Sequence, residues 1–135
     1  RGGSETVLLV EDEEAVRNLT RRVLEHHGYA VLSAPTGEAA LALSRSRPGL
    51  IHLLLTDVVM PGMSGPELAG QLTLERPGMR RIYMSGYAAT ALEQRILLDR
   101  DSAFLQKPFT ATQLTARVRQ MLDEPELAGA GAGAE

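Results

Sequence analysis

A chain of 135 residues with 44% hydrophobic content is long enough for one core and short for two. With 14 basic against 17 acidic residues and no dense Lys/Arg cluster, direct nucleic-acid binding is not expected. The lack of cysteine excludes disulfides, thiolate catalysis and Cys-ligated metals, which makes the cytoplasm the expected compartment, and no apolar stretch approaches the roughly 20 residues of a membrane helix.

Residues 1–4 read as an N-terminal scar or linker ahead of a domain over 5–123. Thr6 to Val10 predicts a first strand that runs into Glu11 and Asp12. The next segment places Val16, Leu19, Val23 and Leu24 at helical spacing until Gly28 stops it. Ala30 to Ala34 predicts the second strand. Thr36 caps a second helix carrying Ala40, Leu41 and Leu43, which ends before Pro48 because a proline disfavours helix in the residue before it. The apolar run Leu50-Ile51-His52-Leu53-Leu54-Leu55-Thr56 closing on Asp57 reads as a buried parallel strand. Ser64 and Glu67 have capping-box spacing for a third helix with Leu68 and Leu72 inside, closed by Pro77-Gly78. Arg81 to Ser85 predicts a short fourth strand, and Leu92, Ile96 and Leu97 mark a weakly patterned fourth helix. Ala103 to Gln106 is the fifth strand. Thr110 and Gln113 box-cap a last helix with Leu114, Val118, Met121 and Leu122 inside, ending near Asp123, before a flexible Gly/Ala-rich tail over 124–135. Five alternations of strand and helix predict a doubly wound α/β domain.

In such sheets ligands sit at the C-terminal strand ends. There the chain places Glu11 and Asp12, Asp57, Ser85 and Lys107. Three acids against one lysine leave an excess of negative charge that calls for a divalent cation or a raised pKa. Carboxylate oxygens favour Mg2+, which takes one or two carboxylates plus a phosphate oxygen. A carboxylate nucleophile, a lysine and a hydroxyl are parts suited to phosphoryl transfer. His26, His27 and His52 have no paired ligand in the sequence and are assigned neither metal nor phosphotransfer.

The segments Leu8-Leu9-Val10-Glu11-Asp12-Glu13, Leu55-Thr56-Asp57-Val58-Val59-Met60-Pro61-Gly62-Met63-Ser64-Gly65, Tyr83-Met84-Ser85-Gly86-Tyr87 and Phe104-Leu105-Gln106-Lys107-Pro108-Phe109, in this order, resemble the receiver domain of two-component response regulators. The wording is most similar to receivers of hybrid sensor histidine kinases. The resemblance spans about residues 5 to 123. It implies a flavodoxin-like three-layer fold with a five-stranded parallel sheet in order 2-1-3-4-5. It implies that Asp57 accepts a phosphoryl group from a phosphohistidine, and that Asp12, Asp57 and the Val59 carbonyl ligate Mg2+ while Glu11 acts mainly through a metal-bound water. Ser85 and Lys107 would bind the phosphoryl group, a cis peptide before Pro108 would aim the lysine, and Phe104 would be the aromatic switch. The readout surface would comprise the fourth helix, fifth strand and last helix. The implied partner is a histidine kinase or histidine phosphotransfer protein, on the same polypeptide where the domain is part of a hybrid kinase, and a monomer is expected. Two features depart from the common pattern: Leu98-Asp99-Arg100-Asp101-Ser102 lacks the Gly-Ala that often precedes strand five, and Phe104 lacks the hydroxyl of the usual Tyr. An aspartate-nucleophile phosphohydrolase is the enzymatic alternative, weakened because Asp57-Val58-Val59 lacks its second acid. A protein-binding module that is never phosphorylated is the other.

Overall fold

The computed structural model describes residues 2–86 and 103–124. The predicted fourth helix and the Gly/Ala-rich tail lie outside the described residues. In chain order the elements are β1 (Thr6–Val10), α1 (Glu14–His26), β2 (Ala30–Ala34), α2 (Gly37–Ser46), β3 (Leu53–Asp57), α3 (Gly65–Glu75), β4 (Arg80–Ser85), β5 (Ala103–Gln106) and α4 (Ala111–Asp123).

Side chains alternate across a strand, so each strand supplies both faces of the sheet. Leu8, Val10 and Leu54 pack with Ala40, Leu41, Leu68 and Leu72 under α2 and α3. Val7, Leu9, Leu53 and Leu55 pack on the other side with Leu24, Leu114, Val118 and Met121 of α1 and α4. Every residue of β1 and β3 is buried, as expected of parallel strands covered on both faces. The strands pair in parallel in the order β2-β1-β3-β4-β5, so the direction of winding reverses between β1 and β3. That reversal opens a crevice at the C-terminal ends of these two strands.

Local signals account for the starts of α2, α3 and α4. Thr36 accepts from the Ala39 amide, and Ser64 with Glu67 and Thr110 with Gln113 form the two expected capping boxes. Gly28 sits at φ +98° after α1, a conformation that suits glycine. Three expectations shift. Leu19 is 63% exposed and Thr20 takes the buried position, because the inner stripe of α1 runs through Thr20 and Leu24, one turn apart. The apolar run before Asp57 joins the sheet only at Leu53, where pairing with Val7 begins, and leaves Leu50 72% exposed. The fourth strand starts one residue early, at Arg80, paired with Leu53.

Arg76 braces the far end of the α2–α3 layer. Its guanidinium donates to Ser44 Oγ at 2.7 Å, to the Ser44 and Arg47 carbonyls at 2.8 and 2.9 Å, and to the Gly49 carbonyl at 2.8 Å. Arg76→Met keeps the aliphatic stem and removes every donor, which strands the buried Ser44 hydroxyl. A loss of about 2–3 kcal/mol in urea-unfolding stability is expected; an unchanged midpoint would show that water replaces the guanidinium at no cost.

Candidate functional site

The parallel register assembles the site. Val10 pairs with Thr56, so the next residues, Glu11 and Asp57, emerge side by side from β1 and β3. Asp57 pairs with Met84 and Ser85 with Gln106, which puts Ser85 and Lys107 at the adjoining strand ends. Glu11, Asp12, Asp57, Val59, Ser85 and Lys107 line a cleft of about 450 Å3. Phe104 does not line it. Its half-buried ring lies 6.2 Å from that of Tyr83 and packs against the core cluster under α2 and α3.

Lys107 ties two of the acids together. Its ammonium lies 2.6 Å from Glu11 Oε1 and 2.8 Å from Asp57 Oδ1, and its backbone amide donates to the Ser85 carbonyl at 2.7 Å. The peptide bond between Lys107 and Pro108 is cis. Glu11 is only 1% exposed, and its second oxygen accepts from the Glu13 amide at 3.0 Å. Asp12 is exposed, with no hydrogen bond to its side chain recorded among the described residues. One oxygen from each of Glu11, Asp12 and Asp57 lies within 4.8 Å of the others.

The two buried carboxyls share the burden of charge unequally. Burial, then the hydrogen bond with Glu11, pushes Asp57 up to about 8, against the pull of Lys107. Burial also acts to raise Glu11, but hydrogen bonds from Asp57, Lys107 and the Glu13 amide outweigh it and hold Glu11 below its ordinary value. Lys107 is held above its ordinary value because its bonds to Asp57 and Glu11 outweigh the cost of burying the ammonium. In the metal-free site Asp57 is therefore the carboxyl that holds a proton more readily and Glu11 the one that ionises first. A divalent ion suits this donor set, since it would replace that proton and offset the negative charge.

Residues not singled out from sequence complete the frame. Arg17, on the first turn of α1, donates to the Glu11 carbonyl at 2.8 Å. Thr56 Oγ1 donates to the Asp57 carbonyl at 3.0 Å. Gly65 passes so close to Asp57 that a Cβ there would lie 2.1 Å from the Asp57 carbonyl oxygen. For Arg17 the available signal was a cation five positions after Asp12, at the start of a helix; for Gly65 and Thr56 no local pattern announces the contact. The histidines stay apart from this rim: His52 Nδ1 accepts from the Thr6 amide at 3.0 Å, and His27 Nδ1 lies 2.9 Å from the Val23 carbonyl.

The family model described as "Response regulator receiver domain" matches residues 7–119. Among curated proteins, the chain is 41% identical over 124 residues to the sensor kinase CckA of Brucella abortus, covering 92% of the chain and 13% of that kinase. It is 36% identical over 116 residues to the response regulator receiver protein CpdR of the same organism, covering 86% of the chain and 95% of that protein. The chain thus spans a small part of the first relative and nearly all of the second. Among solved structures, a CheY-like receiver domain protein from Methanospirillum hungatei superposes with a TM-score of 0.81 at 31% identity, covering 94% of this chain and all of the other. The receiver domain of the hybrid histidine kinase CckA does so with 0.73 at 34% identity, covering 87% and 99%.

Proposed function

The chain belongs to the response regulator receiver domain family, and on that premise we propose that Asp57 is its phosphoacceptor, loaded from a phosphohistidine with Mg2+. Receiver domains are signalling domains that work with histidine kinases or phosphotransfer proteins and bind Mg2+ through acidic residues. The observation that carries the reading is the meeting of Asp57 with Lys107, Glu11 and Asp12 at the crevice between β1 and β3.

Asp12, Asp57 and the Val59 carbonyl would hold Mg2+, with Glu11 acting through a bound water. The bound ion supplies charge neutralisation at the phosphoryl oxygens and favours ionised Asp57. Once Asp57 has lost its proton, one of its oxygens attacks phosphorus. The P–N bond to the donor imidazole breaks as the O–P bond forms, and the imidazole nitrogen keeps the electron pair. The Lys107 ammonium and Ser85 hydroxyl then donate to phosphoryl oxygens, which moves Lys107 off part of its contact with Glu11. Movement of Ser85 toward the phosphoryl group would vacate space for the Phe104 ring. This would bias two packings of β5 and α4. The phosphoacceptor acts as a signalling switch rather than as an enzyme on a free substrate.

Intact-mass spectrometry after acetyl phosphate treatment, with and without Mg2+, tests the chemistry on wild type and Asp57→Asn. A single phosphoryl adduct that needs Mg2+ and is absent from the variant is expected. No adduct under any condition would turn the reading to a binding module that is never phosphorylated.

A further inference from the structure

We propose that Arg17 is a positioning residue for the paired acids: by donating to the Glu11 carbonyl from the first turn of α1, it holds the β1–α1 turn in the form that gathers Glu11 and Asp12 beside Asp57. The inference rests on the Mg2+ site proposed above and adds a residue that touches neither ion nor phosphoryl group.

The turn lacks the lock used elsewhere in the molecule. α2, α3 and α4 each begin with a hydroxyl side chain that accepts a first-turn amide, whereas Glu13, at the start of α1, makes no side-chain cap bond. In place of a cap, the turn carries two bonds that both end on Glu11. The Glu13 amide donates to the Glu11 carboxylate at 3.0 Å, and the Arg17 guanidinium donates to the Glu11 carbonyl at 2.8 Å. The first bond ties the Glu13 amide to a carboxylate that Lys107 already holds, so it lengthens when the turn shifts. Only the second fixes the peptide between Glu11 and Asp12, and the orientation of that peptide decides whether the two carboxylates face the same ion. A charge-assisted bond from a half-buried guanidinium is strong enough to select one turn form over its neighbours.

Charge and position make opposite predictions. A cation beside an acidic cluster repels a second cation, so if Arg17 mattered only through its charge, removing it would tighten Mg2+ binding. If it positions the acids, removing it weakens binding, and supporting residues of this kind are worth about ten-fold in metal affinity.

The experiment is an NMR titration of the whole chain with MgCl2, for wild type, Arg17→Met, Arg17→Lys and Arg21→Met. Arg21 sits on the same helix and pairs with Glu25. The expected result is Mg2+ affinity about ten-fold weaker in Arg17→Met, partly regained in Arg17→Lys, and unchanged or slightly tighter in Arg21→Met. In the metal-free protein, solvent exchange of the Glu13 amide should quicken several-fold in Arg17→Met while that of Leu41 in α2 stays as it was. Mg2+ affinity unchanged or tighter in Arg17→Met would overturn the proposal. Should wild type bind no Mg2+, the metal site itself falls, and the Glu13 amide then decides alone: unchanged exchange overturns the positioning role. Arg17→Gln, shorter and still polar, covers the case in which Arg17→Met does not fold.

Discussion

At pH 8 and without divalent cations, Asp57→Asn is expected to unfold at higher urea than the wild-type protein, with a gain on the order of 2 kcal/mol that is almost gone at pH 4. The unfolded carboxyl ionises near 3.8, while the folded one is raised to about 8, first by burial and then by its bond to Glu11. Below 3.8 both states carry the proton. Between 3.8 and 8 the unfolded chain has released it and the folded chain has not, so stability falls as pH rises through this window and levels off above it. Glu11 works the other way but only below its ordinary 4.5, because its lowered folded value gives stability that is complete above that pH and lost as pH falls. From 4.5 to 8 the slope is therefore that of Asp57. Asparagine donates to Glu11 as the protonated acid does, yet has no proton to lose, so the variant should show little of this slope. Urea unfolding of both proteins at pH 4 and pH 8 measures it. A stability difference that is the same at both pH values would refute the shared proton. Adding MgCl2 at pH 8 should stabilise wild type and leave the variant almost unmoved.

Gly65→Ala is expected to cost about 3 kcal/mol and to cut Mg2+-dependent loading of Asp57. An added Cβ would sit 2.1 Å from the Asp57 carbonyl oxygen and 3.1 Å from its carbon, both backbone atoms with little room to move. The close approach exists because the Gly65 amide donates to the Val58 carbonyl at 2.8 Å, which folds the loop after β3 tightly against the strand end. Relief therefore has to come from shifting the acceptor residue itself or from opening the start of α3. Gly70→Ala is the control. It lies within the same helix, and a Cβ there meets nothing within 4 Å, so the better helix propensity of alanine should leave stability unchanged or raise it by up to about 1 kcal/mol. Equal behaviour of the two variants would show that the loop yields without effort.

The strands and caps were legible because each is written locally. β1, β2 and β5 fall where apolar runs meet turn residues, and the capping boxes of α3 and α4 need only two residues three apart. The strand-end acids, Ser85 and Lys107 were legible for a related reason: in a parallel sheet, ending a strand is enough to place a residue on the rim. What stayed hidden depends on atoms distant in sequence or on rotation about an axis. Leu19 and Thr20 are neighbours, and a turn of 100° decides which one is buried; the hydrophobic side chain is no guide when the stripe is centred elsewhere. Leu50 looks like strand but has no partner in β1. The Arg17 bond to a backbone carbonyl, the Gly65 contact and three of the four bonds of Arg76 each depend on where a carbonyl points, which no side-chain pattern encodes.

The bond between Lys107 and Glu11 joins residues 96 positions apart, and the strands that carry them are separated in the sheet by β3 and β4. A chain still emerging during synthesis displays Asp57 long before position 107 exists. Until β5 has docked, Asp57 lacks the ammonium that pairs with it, so on the proposed chemistry reactivity would arrive with the last long-range closure of the domain rather than with the strand that bears the aspartate. If Asp57 is the phosphoacceptor proposed above, an incomplete or misassembled copy would thereby stay silent. The capacity to be loaded would itself certify that the whole sheet has formed.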